Sequence, residues 1–162
     1  MNRPYTYKPY TYKDPTTKFN ETKLRDKLRE MVLGPHWWRI ENRFGKGVPD
    51  LNACYNSKEI WVETKVRRGP FALVTEHQKN WHRDRIAAGG TTFFLLGERV
   101  GRGKILVTIW SGSKGTELIE KPYREVPGYM AELSALYAPS LLRVFFEPGY
   151  FAAAPWSERK TA

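Results

Sequence analysis

Pro49-Asp50, followed by Glu63-Thr64-Lys65, sets two carboxylates and an ammonium within one short stretch of the chain. Two acids held close together repel unless a cation lies between them, and carboxylate oxygens are the donors that Mg2+ or Mn2+ prefers. A metal held this way polarises a phosphate and acidifies its water. The lysine adds a positive charge beside the attacking oxygen, or beside the charge that develops at phosphorus. As a bare string the pattern is weak, because a turn-capping aspartate and a surface ladder of Glu and Lys would produce it too. Its weight comes from the elements that carry it.

Asp50 to Tyr55 and Ile60 to Arg67 read as strands flanking Asn56-Ser57-Lys58-Glu59, a hairpin loop. A loop centred on Ser57 and Lys58 pairs Tyr55 with Ile60 and Asp50 with Lys65. Parity then puts Leu51, Ala53, Tyr55, Ile60, Val62 and Thr64 on a face suited to a core, and Asp50, Asn52, Cys54, Trp61, Glu63 and Lys65 on the other. Glu63 is expected diagonal to Asp50, roughly 7–8 Å away, where one divalent ion can bridge both carboxylates.

Upstream, Asn20 caps a helix running to Leu33, with Leu24, Leu28 and Met31 or Val32 as its apolar stripe and Gly34-Pro35 as its stop. His36 to Arg43 is β-rich, and Gly45 to Gly47 form a flexible turn. Thr75 begins a second helix that runs to Ala88, with Thr75 and Gln78 at capping-box spacing and Gly89-Gly90 as its end. Thr91 to Leu96 is a buried strand. The order is α, three β, α, β. Beyond it, Lys104–Trp110 and Thr116–Glu120 read as a second hairpin and Tyr129–Tyr137 as a short helix, while the apolar run Leu141–Phe146 fits either type. Gly101-Arg102-Gly103-Lys104 lacks the spacing of a phosphate loop and is read as a basic turn.

The 162 residues suffice for one domain. Three segments are expected: a basic Tyr-rich arm over 1–19, a core over 20–97, and a C-terminal extension over 98–162 made of a hairpin, a short helix and a tail. With 27 Lys and Arg against 17 Asp and Glu, the net charge of +10 favours a polyanionic partner. The arm alternates Lys8 and Lys13 with Tyr5, Tyr7, Tyr10 and Tyr12, a mix that neutralises phosphates and stacks on bases, or is a plain tail. Cys54 is the only cysteine, which excludes an internal disulfide and thiolate zinc sites. His36, His77 and His82 lack metal-ligand spacing and are read as solvated. No apolar run approaches the roughly 20 residues of a bilayer span, and the start is polar, so a soluble, cytoplasmic protein without membrane contact is expected.

The stretches RIENRFGKGVPDLN, WVETKV and TEHQKNWHRDRIAAGGTTFFLL together resemble the virus-type replication and repair nuclease (VRR-NUC) family of the PD-(D/E)XK superfamily, and are similar to phage and archaeal junction resolvases. The similarity covers residues 20–97. It implies an α/β, restriction-endonuclease-like αβββαβ core, with a mixed central sheet flanked by helices, and a Mg2+- or Mn2+-dependent endonuclease. Asp50 and Glu63 match the family's metal-binding acids and Lys65 its catalytic lysine, with the backbone carbonyl of Thr64 as a further ligand.

The resemblance also implies a helix-borne glutamate near the metal, for which Glu21 is the first choice and Glu30 the second; Glu21 otherwise serves the helix dipole. Gln78 matches a glutamine that supports the site, and the capping box explains it equally without catalysis. Lys46, Arg67, Arg68, Lys79 and Arg83, with Arg85, are candidate DNA contacts or solvated charges. The expected partner is branched DNA, such as a Holliday junction in phage replication or recombination, placing the protein in the cytoplasm of a bacterial host. Symmetric cutting implies a homodimer, joined through the aromatic tail from Tyr137 through Tyr150 to Trp156 or through the arm. The alternatives are a nicking or degradative nuclease without branch preference and a non-catalytic basic nucleic-acid-binding protein.

Overall fold

Residues 18–41 and 45–153 are described by the computed structural model of the chain. The Tyr-rich repeat of residues 1–17 and Trp156 lie outside the described residues. Helix α1 (Glu21–Met31) leads into strands β1 (His36–Arg39), β2 (Leu51–Tyr55) and β3 (Lys58–Val66), then α2 (Glu76–Ala87) and β4 (Thr91–Gly101). Strand β5 (Lys104–Ser111), α3 (Gly115–Glu120), β6 (Tyr129–Glu132), α4 (Ala138–Phe146) and α5 (Pro148–Ala153) follow. The strands form one six-stranded sheet in the order β1-β2-β3-β4-β5-β6. Only the β3–β4 pair is parallel, because α2 carries the chain back across the sheet between them. The expected mixed α/β sheet with helices on its faces is what the structure shows. Among the described residues, no helix is long and apolar enough to cross a membrane.

Each face of the sheet has its own core. On one side Leu24 and Leu28 of α1 and Leu141, Val144 and Phe145 of α4 pack on Leu51, Ala53, Ile60, Val62, Phe93 and Val107. Gly97 makes that contact close: a Cβ there would come within 2.6 Å of Leu24 Cδ1. On the other side Phe94, Leu96 and Trp110 meet Leu118, Tyr123 and Val126. Helices α2 and α3 cover this second face.

The hairpin differs from expectation in register and agrees in parity. Asn56 and Ser57 form a two-residue turn with φ of 48° and 61°, the left-handed conformation that such tight hairpins demand. Tyr55 therefore pairs with Lys58 and Leu51 with Val62. The shift from the expected pairing is two residues, so every side chain keeps its face.

Three assignments are corrected, and one segment left open is decided. Thr116–Glu120 lies in α3 and is not a strand, because Gly115 lets this segment close on Lys79 of α2. The partner of β5 is instead β6, where the residues expected to start a helix alternate between buried and half-buried. Leu141–Phe146 is helical, with Pro139 in its first turn and Leu141, Val144 and Phe145 at helical spacing on the core. His82 is fully buried rather than solvated. Tyr137 and Tyr150, expected in a dimer interface, pack in part against this chain's own core, and Arg143 lies 4.3 Å from the Tyr150 ring centre.

Candidate active site

Asp50 stands just before β2, and continuing the Leu51–Val62 register sets it opposite Glu63 rather than diagonal to it. The loop that delivers it is fixed by Gly47, whose φ is +81°. A Cβ on Gly47 would collide with the His77 carbonyl in the first turn of α2, so only glycine lets the loop lie on that helix. Lys46 is exposed on the same turn.

Asp50 Oδ2 accepts the Thr64 N–H at 3.0 Å and the Thr64 hydroxyl at 2.7 Å. Arg25 of α1, 9% exposed, brings Nη1 to 3.5 Å from the same oxygen and donates to Thr64 Oγ1 at 3.4 Å. In a strand the N–H and C=O of one residue point the same way. The Thr64 carbonyl therefore points past the end of the β2 ladder, toward the side where Asp50 lies.

Glu63 is 3% exposed. Its Oε1 accepts from Gln78 Nε2 at 2.5 Å and lies 3.1 Å from Lys65 Nζ. Its Oε2 is buried with no hydrogen-bond partner among the described residues. Burial, and next the charge of Asp50, push the Glu63 carboxyl from its ordinary 4.5 up to about 7, against the opposing pull of Lys65 and Arg25.

Gln78 closes the capping box expected of it and also reaches Glu63. Its Oε1 accepts the Thr75 N–H at 3.0 Å while Thr75 Oγ1 accepts the Gln78 N–H at 3.2 Å, closing the capping box. With the carbonyl end of the amide occupied, the NH2 end is aimed at Glu63. Helix capping orients the site.

These residues fit a divalent cation. Asp50 and Glu63 are each tied into the protein through one oxygen, Oδ2 and Oε1, and Glu63 Oε2 is an anionic oxygen that burial makes costly unless a cation meets it. Among the described residues no three or more His, Cys, Asp or Glu side chains gather as a metal cage. An ion between them would have two carboxylates as side-chain donors, leaving backbone oxygen and water to complete its shell, a pattern Mg2+ accepts.

Glu21 is directed elsewhere: it pairs with Arg68 at 3.2 Å, while Glu30 pairs with Lys27 at 3.4 Å and faces solvent. Of the candidate DNA contacts, Arg67 pairs with Glu98, Lys79 with Glu76 at 2.5 Å and Arg83 with Asp84 at 2.9 Å. Sequence reasoning missed Arg25. Its signal was a charge beside Leu24 and three residues before Leu28, on the edge of the buried stripe of α1.

Known proteins add a likeness of shape. The chain matches no family model and no curated protein. Among solved structures it is similar to Hjc, a Holliday junction resolvase from the archaeal hyperthermophile Archaeoglobus fulgidus, at 13% sequence identity and a TM-score of 0.44, over 75% of this chain and 97% of that one.

Proposed function

We propose that this chain is a divalent-metal-dependent endonuclease of the PD-(D/E)XK type that hydrolyses phosphodiester bonds in DNA. The observation that carries the reading is the buried Oε2 of Glu63, without a hydrogen-bond partner among the described residues, opposite Asp50 and next to Lys65. A buried carboxylate with one idle oxygen is costly to keep, and a metal site explains it.

When bound, Mg2+ or Mn2+ supplies Lewis-acid polarisation of the scissile phosphate and a more acidic attacking water. Asp50, Glu63 and the Thr64 carbonyl would hold it. Arg25 and the Thr64 N–H and hydroxyl fix the Asp50 carboxylate, and Gln78 fixes that of Glu63, so neither must reorganise when substrate arrives. The Lys65 ammonium orients the water and offsets the negative charge that builds at phosphorus. Lys46, exposed beside the site, and Arg67, Arg68, Lys79 and Arg83 are the proposed phosphate contacts, the four arginine and lysine pairs opening to engage the backbone.

The finer reading is a VRR-NUC-like, phage-type enzyme acting as a homodimer on branched DNA. The sequence resemblance and the net charge of +10 support it. The test is incubation of the protein with labelled four-way junction, flap, single strand and duplex, in Mg2+ or Mn2+ against chelator, beside Lys65→Ala. Metal-dependent product from the wild type alone is expected; no product on any substrate would leave a basic binding protein.

A further inference from the structure

Helix α2 covers only part of the face that carries the candidate site. Over β1 and β2 that face is bare among the described residues, although the opposite face there is sealed by Trp37, Leu51 and Ala53. Cross-strand register sets its side chains in rows. Asp50, Glu63 and Phe94 form one, and Trp38, Asn52 and Trp61 form the next, two residues along each strand and so roughly 6.5–7 Å away. Trp38 is 61% exposed, an unusual position for a tryptophan in a sheet, and His36 stacks beside it with ring centres 6.2 Å apart.

The inner end of the row is built and charged. Trp61 meets Trp81 of α2 with ring centres 5.3 Å apart, and the Arg85 guanidinium lies 5.3 Å from the centre of the Trp61 ring and 5.9 Å from that of Trp81. Glu59 Oε1 accepts from Trp61 Nε1 at 2.5 Å, Asn52 Nδ2 at 3.0 Å and Arg85 Nη2 at 3.2 Å, which fixes the Trp61 ring before anything binds. One exposed and one half-buried indole with an amide between them, and the Arg85 guanidinium of α2 at the inner end, on a chain of net charge +10, match the π-faces and phosphates of an unpaired nucleic-acid strand. A plain duplex offers no free base face to them.

We propose that the Trp38–Asn52–Trp61 row is a stacking platform for unpaired bases of the strand whose phosphate enters the Asp50–Glu63 site. The platform rests on the nuclease reading and narrows its substrate: DNA with unstacked nucleotides beside the cut, as at a gap, flap or branch point, in preference to continuous duplex.

Fluorescence anisotropy tests it, with the full chain in chelator so that binding is read without cutting, on a single strand, a continuous duplex and a gapped duplex. Trp38→Ala is expected to weaken binding to the two substrates with unpaired bases by about five- to tenfold and to leave continuous duplex within about twofold, and Trp38→Phe to restore most of the loss. Replacing the unpaired bases by abasic sugars should erase the difference between wild type and Trp38→Ala. An equal loss on all three substrates, no loss, or a difference that survives the abasic strand overturns the platform. So does conversion of a dimer to a monomer by Trp38→Ala in sedimentation, which would assign the face to a second copy. Cleavage in Mn2+ is scored separately. Base-selective binding without any cutting removes the nuclease reading alone, and cutting without base selectivity removes the platform alone.

Discussion

Helix α2 sends two side chains into the sheet one turn apart, and they meet very different surroundings. Gln78 reaches Glu63, and His82 reaches Thr92, with Nδ1 and Oγ1 2.7 Å apart. Both titratable groups are buried, and each keeps one polar atom without a hydrogen-bond partner among the described residues, Glu63 Oε2 and His82 Nε2. Phe94 separates them, paired in register with Glu63 and tilted against the His82 ring with centres 4.0 Å apart. Burial pushes both toward the neutral form: Glu63 up to about 7, His82 from 6.5 down to about 4. The distinction lies in the neighbours. Around Glu63 stand another carboxylate and two cationic side chains, so its charge can be called back by a metal; around His82 stand aromatic carbon and a hydroxyl, and it stays an uncharged part of the core. Burial makes a polar group costly, and only charged company makes it useful.

The contrast breaks most visibly at Lys65. Lys65→Ala should lower metal-dependent cleavage by about 10²–10³-fold in single-turnover assays while the thermal midpoint barely moves. Gln78→Ala is expected to cost about 10–100-fold in rate, by loosening Glu63, and about 1 kcal/mol of stability, by opening the capping box. His82→Ala should show the reverse profile: a loss of roughly 2–4 kcal/mol in denaturant unfolding, with the rate per folded molecule within about twofold of wild type. A His82 variant that folds fully yet fails to cut would collapse the distinction between the two groups.

Acidity sharpens it further. The folded state holds the Glu63 proton more tightly than the unfolded chain, so the stability this group contributes is complete below pH 4.5 and declines as pH climbs to about 7. His82 resists its proton, so its contribution is complete above pH 6.5 and declines as pH falls to about 4. In wild-type unfolding titrations the two opposed slopes should largely offset between pH 4.5 and 6.5, and Glu63→Gln should uncover the acid-side loss and raise stability at pH 8 by roughly 1–3 kcal/mol. Because a ligand must shed its proton, Mn2+ should raise the wild-type midpoint more at pH 8 than at pH 6 and do little for Glu63→Gln.

Asp50, Glu63 and Lys65 could be placed from sequence because strand parity survives a register error of two residues; a slip of one would have scattered them. Gln78 was legible through its spacing from Thr75, although the way one amide serves both the cap and the carboxylate needs coordinates. Arg25 and His82 were hidden for a shared reason. Polar residues on helices usually face water, and their burial here depends on contacts distant in sequence, with Thr64 for one and with Phe94 and Thr92 for the other. The region after β4 was misread where short segments carry too few turns of either period: α3 spans six residues and β6 four.

The glycine at 47 bears on how the protein comes into being. Since that loop takes its shape by lying on the backbone of a helix made later in the chain, the hairpin alone can set Asp50 opposite Glu63, but the loop before Asp50 and the Gln78 contact that holds Glu63 are completed only when α2 has docked. A chain that ends before α2 would carry both acids without the amide that positions one of them.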